Sequence, residues 1–401
     1  MILFLSLMGC FSRMVVGAVA PQGEISLNSS DDSAWSALYA GAESLDVSVR
    51  LLSAHDIVRY RPEPSGGDFT QRFLLDPSPY VQRAALQALL ERLDTGDDST
   101  ALALLIDNLH RGDLDPYTWG HLAHSLVDVV EGEDTALIGT KWESESASYL
   151  VLPLALAAAE VGNTAALAAL TAAIEVAEVP LELTFFDDCG EADLPISETI
   201  MESFERLEQV LHIPAVVCAL ELGEESAEAD LRERIRSTEN PEQALEVLDF
   251  LVEANTYAGE GAVHRLLTEA SNSSDPIISA YGQGALLSFG EGDPGVVIEF
   301  ATSIDRDVRV IAFACLTRWW DRFGHTSTRQ QRLSYHKAII DALDDTNIVV
   351  VLAAIEAIGH FAHPDDTALM DALLESEDSM VRVRAASALL RLRRRAIFWE
   401  G

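Results

Sequence analysis

The chain has 401 residues, of which 48% are hydrophobic and 7% aromatic, and it carries a formal net charge of −38 at pH 7. Single hydrophobic cores stop growing at about 250–300 residues, so this length excludes one ordinary compact core. Only Lys141 and Lys337 are lysines among the 27 basic residues. Because nucleic-acid binding depends on basic side chains that neutralise phosphates, nucleic acid is not an expected ligand. The charge reflects either the background of the whole proteome or a surface that attracts basic proteins.

The first twenty residues are strongly apolar and precede a polar stretch. Residues 7–10 (LMGC) resemble the lipobox of bacterial lipoproteins, in which the cysteine is lipidated and becomes the mature N-terminus. Cys10 is therefore the lipidation candidate, and residues 1–32 are predicted to be a signal and tether segment outside the fold. This favours a lipid-anchored protein of the cell envelope, with the anchor as its one contact with a membrane. The alternative is a cytoplasmic protein whose first residues cap the opening repeat.

From Asp31 onward the sequence shows helical periodicity in segments of roughly 10 to 18 residues, separated by Gly, Pro, Asp and Asn. Strand patterns are almost absent. Residues 33–401 are therefore predicted to form one α-solenoid, with irregular loops at about residues 132–146 and 179–195. Insertions of this kind in a repeat array gather on loops and often serve binding.

The sequence YTWGHLAHSLVDVV contains the first candidate for chemistry. His121, His124 and Asp128 stand at i, i+3 and i+7 and share one face of a predicted helix. Two histidines and a carboxylate could supply three ligands to zinc or iron. The alternative is a set of packing and capping side chains without a metal.

Four segments repeat an acidic turn followed by small and β-branched residues at helical spacing, and they begin at Asp76, Asp305, Asp345 and Asp378. Fainter copies begin at Asn240 and Asp275. Their spacing of roughly 30 to 40 residues is the period of stacked helix pairs. The first apolar residue after the turn, such as Ile348 in the third copy, marks the repeat spacing, and in the copies at Asp76, Asp305 and Asp378 the apolar residues at i, i+4 and i+8 are expected to form one stripe along the helix. Each acid is expected to cap its helix.

The segments at Asp305 and Asp378, each with a valine and an arginine three and four residues later, resemble HEAT repeats, most closely the short bacterial kind. The resemblance covers about residues 241–395. It implies an all-α fold, an α–α superhelix of antiparallel helix pairs whose inner helices form a binding surface, and it implies no particular partner. The arginines, Arg309 and Arg382, are expected to reach an acid of the adjacent repeat.

Trp319 and Trp320, flanked by Arg318 and Arg322, are the protein-binding candidates, because Trp and Arg dominate interface energetics. Adjacent residues on a helix point about 100° apart, so one tryptophan is expected to pack and the other to lie nearer the surface. The alternative is that both pack between repeats.

Two clusters lie near the C-terminus. In GHFAHPDD the histidines precede a helix end, and Asp366 is expected to cap the next helix, with a metal set as the alternative. The basic run at residues 391–395 (RLRRR) is expected to pair with acids of the previous repeat, for which Glu375 and Glu377 are candidates. The alternative is a docking site for an acidic partner.

The sequence contains no signature of a serine hydrolase, P-loop protein, dinucleotide-binding enzyme or zincin. The leading hypothesis is therefore a non-enzymatic scaffold that presents a curved acidic surface to another protein or peptide, with a basic one favoured by the charge. No cofactor is expected. The alternative is an enzyme on the same fold, either lyase-like, since chromophore lyases also resemble short HEAT repeats, or metal-dependent through His121, His124 and Asp128.

Overall fold

The structure is a computed structural model in which helices account for nearly all of the described residues. The described residues are 29–60, 67–94, 99–111, 114, 116–127, 129–130, 132–145, 152–176, 220, 225–236, 244–245, 247–248, 251–252, 261–361, 363 and 366–395. This part of the chain contains α-helices, one short 3-10 helix at Gly324–Thr326, and no strand. The predicted all-α fold, an α–α superhelix of stacked helix pairs, is confirmed.

The helices fall into two compact units that divide near residues 97 and 267. In the first unit the helices before the division are α1 Ser29–Ala42, α2 Val47–Tyr60, α3 Gly67–Leu74 and α4 Pro79–Asp94. The second unit contains α5 Ser99–Arg111, α6 Pro116–Leu126, α7 Glu133–Glu145, α8 Leu152–Glu160, α9 Thr164–Val176 and α10 Glu225–Arg236, and α11 Ala262–Ser271 crosses the boundary. The first unit resumes with α12 Pro276–Ser288, α13 Pro294–Phe300, α14 Arg306–Phe323, α15 Arg329–Ala342, α16 Ile348–Phe361, α17 Thr367–Leu373 and α18 Ser379–Arg395.

One capping turn recurs in the first unit, at the starts of α2, α12, α14 and α18. The Asp305 carboxylate accepts hydrogen bonds from the backbone N–H groups of Asp307 and Val308. Asp275 and Asp378 cap α12 and α18 in the same way. A further copy, which the sequence reading did not pick out, begins at Asp46, whose carboxylate accepts from the Ser48 N–H at 2.8 Å. Each turn satisfies N–H groups that the helix itself leaves unpaired.

The copies at Asp76 and Asp345 have a different register from the expected one. Their carboxylates accept at 2.8 Å from the N–H groups of Ser78 and Asn347, the residues that immediately precede α4 and α16. In the other turns the cap is an aspartate, and a serine lies two residues before it, as Ser303 lies before Asp305. Asp76 and Asp345 take the place of this serine. Ile348, the first apolar residue after its turn, is consequently 44% exposed, and Val350 is the fully buried one.

The carboxylates of Asp76 and Asp345 form ion pairs with arginines of the neighbouring repeat. Arg309 Nε lies 2.9 Å from Asp345 Oδ2, which confirms the expectation for this arginine. Arg50 Nε lies 2.9 Å from Asp76 Oδ2 in the same way. Arg382 makes the backbone bonds that its counterparts make, from Nη1 to the carbonyls of its own turn. The ion pairs therefore occur where the neighbouring turn carries an aspartate in place of the serine.

The last described helix packs against the first two. α18 contacts both α1 and α2, so the stack of helix pairs in the first unit runs from α17–α18 directly to α1–α2 and then to α3–α4. Gly41 of α1 lies at this seam, where an added Cβ would stand 2.6 Å from Val383 Cγ2 and 2.2 Å from Ser53 Oγ. Glycine is therefore required for the close approach of α1 to α18. Ser44 and Arg382 line one small cavity on the same seam.

Ser44→Asp is expected to stabilise this seam by roughly 0.5–1 kcal/mol, the scale of a partly buried ion pair with good geometry. The new carboxylate would face Arg382 as Asp345 faces Arg309, and it can still accept the Asp46 N–H that Ser44 Oγ accepts at 3.1 Å. Urea denaturation followed by circular dichroism measures the effect.

Ser303→Asp is the matched control for this prediction. Ser303 occupies the same place in its turn, but the preceding repeat carries Ser279 where an arginine would be needed. The control is expected to gain no stability. Equal stabilisation by both variants would show that the acid acts on its own helix and not across the seam.

One predicted loop is wrong, and several predictions lie outside the described residues. Residues 132–146 were expected to be irregular, but Glu133–Glu145 forms α7. Two acids in its first turn suit the helix dipole, and Ile138 and Trp142, four residues apart, are buried. The expected loop at 179–195 and the lipidation candidate Cys10 lie outside the described part, so both stay predictions, as does the single solenoid over 33–401. In the described part no helix is long and apolar enough to span a bilayer.

Candidate functional site

Exposed apolar side chains of the first unit concentrate at the turns that lead into α2, α4, α14 and α16. Ile304 and Leu45, each directly before a capping aspartate, are 101% and 98% exposed. Apart from Val129 and Leu333, every large exposed hydrophobic residue in the described part lies at such a turn. We call this set the turn edge, and its members are Leu45, Val47, Leu75, Tyr80, Ile304 and Ile348.

Several contacts place these turns next to one another. The Arg309–Asp345 ion pair joins the turn before α14 to the turn before α16. The Arg50–Asp76 ion pair joins the turns before α2 and α4. Because α16 packs on α18 and α18 packs on α2, the turns of the closing and opening helix pairs also meet, at the cavity between Arg382 and Ser44. The turn edge is therefore one side of a single stack and not a scatter of unrelated residues.

Acidic side chains surround the apolar residues of the turn edge. The exposed acids of these turns are Glu43, Asp46, Asp307, Asp344, Glu375, Glu377 and Asp378. Three arginines of the same turns, Arg50, Arg309 and Arg382, are directed inward and donate to backbone carbonyls. Two exposed arginines pair with acids of this set, Arg306 with Asp307 and Arg72 with Glu43. The edge therefore presents apolar anchors within a rim that is acidic on balance.

A buried charge network lies in the C-terminal halves of the same helices. Its centre is Arg391 of α18, whose side chain is 10% exposed. Arg391 Nη1 pairs with Glu356 of α16. On its other side Arg391 Nε donates to Tyr60 Oη at 3.0 Å, and Nη2 lies 3.8 Å from Asp56 Oδ1. One guanidinium therefore joins the repeat before α18 to the opening pair.

The network extends in both directions from Arg391. On the α16 side, His360 Nδ1 lies 2.6 Å from Asp321 Oδ2 of α14. On the α2 side, His55 bridges two acids, with Nδ1 at 3.2 Å from Asp56 Oδ1 and Nε2 at 3.3 Å from Glu91 Oε1 of α4. Charged groups therefore link five helices that pack side by side in the order α14, α16, α18, α2 and α4.

The charges of this network are mutually supporting. Burial opposes the charged form of Glu356, but the Arg391 and Arg384 guanidiniums outweigh it and hold the pKa of the carboxyl well below its usual range. Burial likewise opposes protonation of His55, yet hydrogen bonds to Asp56 and Glu91 raise its pKa to about 9. Glu356 and His55 therefore stay ionised at neutral pH, and each needs its partner.

His124 of the predicted His121–His124–Asp128 set binds another helix. Its Nδ1 lies 2.7 Å from Glu160 Oε2 of α8, and both side chains are largely buried. His121 is partly buried on the same helix, and Asp128 lies outside the described side chains. The observed contact is the packing role that the sequence left open as the alternative for His124.

Both tryptophans of the predicted binding cluster pack between helices. Trp319 is 5% exposed. Trp320 is half-buried, with its ring 4.4 Å from the Phe361 ring and 6.0 Å from the Tyr335 ring, measured between centroids. Arg322 Nη1 donates to the Ser288 carbonyl at 3.3 Å. A binding role for these residues and Arg318 stays a prediction, and most of the large exposed apolar residues of this unit lie at the turn edge instead.

The basic run at the C-terminus has other partners than the expected ones. Arg391 pairs with Glu356 and Asp56, and Arg393 Nη2 lies 3.7 Å from Asp371 Oδ1. Arg391 pairs with an acid of the previous repeat, as expected, but this acid is Glu356. The expected candidates were Glu375 and Glu377. Sequence alone could not find Asp56, because it belongs to the other end of the chain.

The comparisons with known proteins show only distant structural likeness. No family model and no curated protein match the chain. One similar solved structure is that of an engineered protein, with 16% identity and a TM-score of 0.27 over 92% of this chain and 99% of the other. Another comes from work on the interaction between cadherin and beta-catenin, with 14% identity and a TM-score of 0.26 over 98% and 96%. The chain's own helices and their packing therefore define its class, a helical-repeat protein.

Proposed function

We propose that this protein is a non-enzymatic scaffold of the HEAT-repeat type that binds a partner protein along the turn edge. The observation that carries the proposal is the line of exposed apolar residues on adjoining turns. Large exposed apolar patches rimmed by polar residues mark interaction sites, whereas single exposed hydrophobic residues are ordinary. An enzyme at His121 and His124 is not favoured, because neither histidine belongs to a group of three candidate metal ligands in the described part of the chain.

The partner that fits this surface is a basic segment with apolar anchors. Ile304 and Leu45 would contact its apolar side chains, while exposed acids such as Asp344 and Glu377 would face its Lys and Arg residues. The net charge of −38 accelerates the approach of such a segment, because opposite charges steer the encounter. Nucleic acid and acidic peptides would be repelled.

Selection from a random peptide library tests this function. Peptides that bind the wild-type protein are expected to combine Lys or Arg with aromatic or aliphatic residues, and to lose at least about tenfold in affinity when Ile304 and Leu45 are both changed to serine. Their affinity should also fall as salt is raised from about 50 to 500 mM, since exposed charges are screened. Fluorescence anisotropy with the selected peptides measures both effects.

Leu333→Ser is the matched control, because Leu333 is 60% exposed but lies on α15, away from the turn edge. This variant should bind the selected peptides as the wild type does. Peptides that are acidic, or that bind the Ile304→Ser/Leu45→Ser variant with unchanged affinity, would contradict the proposal.

A further inference from the structure

We propose that His336, His363 and Asp366 form a binding site for a divalent transition-metal ion of the zinc class. The three residues come from α15, from the connection after α16, and from the residue directly before α17. One nitrogen of each imidazole and one carboxylate oxygen all lie within 4.8 Å of one another. The site lies away from the turn edge and does not depend on the scaffold proposal.

The orientation of the Asp366 carboxylate is the first argument. Asp366 occupies the N-cap position of α17, yet its side chain makes no capping hydrogen bond. The expectation that it caps this helix is therefore wrong. Asp305 in the corresponding position of α14 accepts two backbone N–H groups. Asp366 instead faces His336, with Oδ1 at 2.8 Å and Oδ2 at 3.1 Å from Nε2, and it is only 3% exposed.

The packing of the two imidazoles is the second argument. The His336 and His363 rings stack with centroids 4.8 Å apart. The His336 ring also stacks on Phe361, at 5.3 Å and an interplanar angle of 13°. These contacts keep the two imidazoles side by side before any ion binds. Metal ligation needs nitrogen and oxygen atoms about 2.0–2.2 Å from the ion, so the two rings must turn out of this stack until both nitrogens point at the ion.

The ligand types select the class of ion. Two imidazoles and one carboxylate suit zinc and iron(II), whereas calcium and magnesium prefer oxygen ligands throughout. Three protein ligands leave a coordination position for water, and the partial exposure of His336 and His363 allows solvent to reach it. A bound ion would join α15 to the start of α17 and so tie two successive helix pairs together.

Titration of the metal-free full-length protein with Zn²⁺ tests the site. Isothermal titration calorimetry is expected to show about one ion per chain, and the midpoint of thermal unfolding is expected to rise with zinc concentration, because the ion binds the folded state. Titration with Co²⁺ should produce visible absorption bands of a low-coordinate site. His336→Ala and Asp366→Asn should each weaken zinc binding at least about tenfold.

His110→Ala is the matched control. His110 Nε2 also lies close to a carboxylate, at 2.5 Å from Asp134 Oδ1, but no third ligand joins them in the described part of the chain. This variant should bind zinc as the wild type does. Circular dichroism of Asp366→Asn, a nearly isosteric change, verifies that the fold is kept. Absence of zinc binding, or binding that survives both His336→Ala and Asp366→Asn, would overturn the proposal, as would its loss in His121→Ala.

Discussion

Arg391→Ala is expected to lower the free energy of unfolding by about 3–5 kcal/mol, the cost of breaking a buried ion pair by removing one partner. The change would leave Glu356 with one fewer cation in a buried setting and would remove the cation that faces Asp56. Because Arg391 joins α16 to α2 through α18, the substitution should destabilise helices from both ends of the chain. Urea denaturation measures the stability, and hydrogen exchange in α1 and α2 measures the loosening of the seam.

Arg393→Ala is the control for this prediction. Arg393 also carries a positive charge near the end of α18, but its partner Asp371 is 42% exposed at 3.7 Å. Exposed pairs of this kind contribute about 0–1 kcal/mol. Arg391→Lys should give an intermediate loss, since lysine keeps the charge but not the planar fork that reaches Tyr60 and Glu356 together. A cost for Arg391→Ala no larger than that for Arg393→Ala would show that the network does not hold the seam.

The stability of the protein is expected to fall between about pH 6.5 and 9 as His55 loses its proton. Its folded pKa of about 9 lies above the ordinary value of 6.5, so its contribution is complete below pH 6.5 and is gone above pH 9. A shift of this size corresponds to about 2–3 kcal/mol after an allowance for partial exposure. The groups that face His55 are Asp56 and Glu91, and both have lowered pKa values, so they stay charged throughout this range.

Denaturation curves at pH 6, 7.5 and 9 measure this effect in the wild type and in His55→Gln. The variant should be less stable at pH 6 and should show little of the decline between pH 6.5 and 9. His110→Gln is a suitable control, because His110 is an exposed histidine beside Asp134 with a side chain that is 45% exposed. If wild type and His55→Gln decline in parallel, the charged form of His55 does not stabilise the fold.

Local chemistry made much of the architecture predictable. An aspartate that precedes a valine by three residues caps its own helix at Asp305 and Asp378, because the interaction needs only neighbouring N–H groups. The Arg309–Asp345 pair was also within reach of sequence reasoning, because repeats that are adjacent in the chain pack on each other. The repeated pattern therefore indicated both the class of fold and the direction in which it stacks.

Register was harder to predict where an aspartate takes the place of the serine two residues before the cap. The turn at Asp345 reads like the turn at Asp305, yet α16 begins after Asn347, and Val350 rather than Ile348 faces the core. Both positions carry apolar residues, so hydrophobicity alone cannot separate them. The turn edge was missed for a related reason. Exposed apolar residues such as Ile304 look like core residues until the packing shows that they face outward.

By itself, the sequence determined the all-α class, the capping turns and the pairing of repeats that follow one another in the chain, because these depend on contacts within a helix or between adjacent pairs. Only the tertiary structure decided that α18 packs on α1 and α2. The hydrogen bond from Arg391 to Tyr60 joins residues 331 positions apart, and no local pattern records it. The same holds for His336 and Asp366, 30 positions apart. Such groups meet because buried charges require partners and helix faces require neighbours, wherever in the chain those partners and neighbours lie.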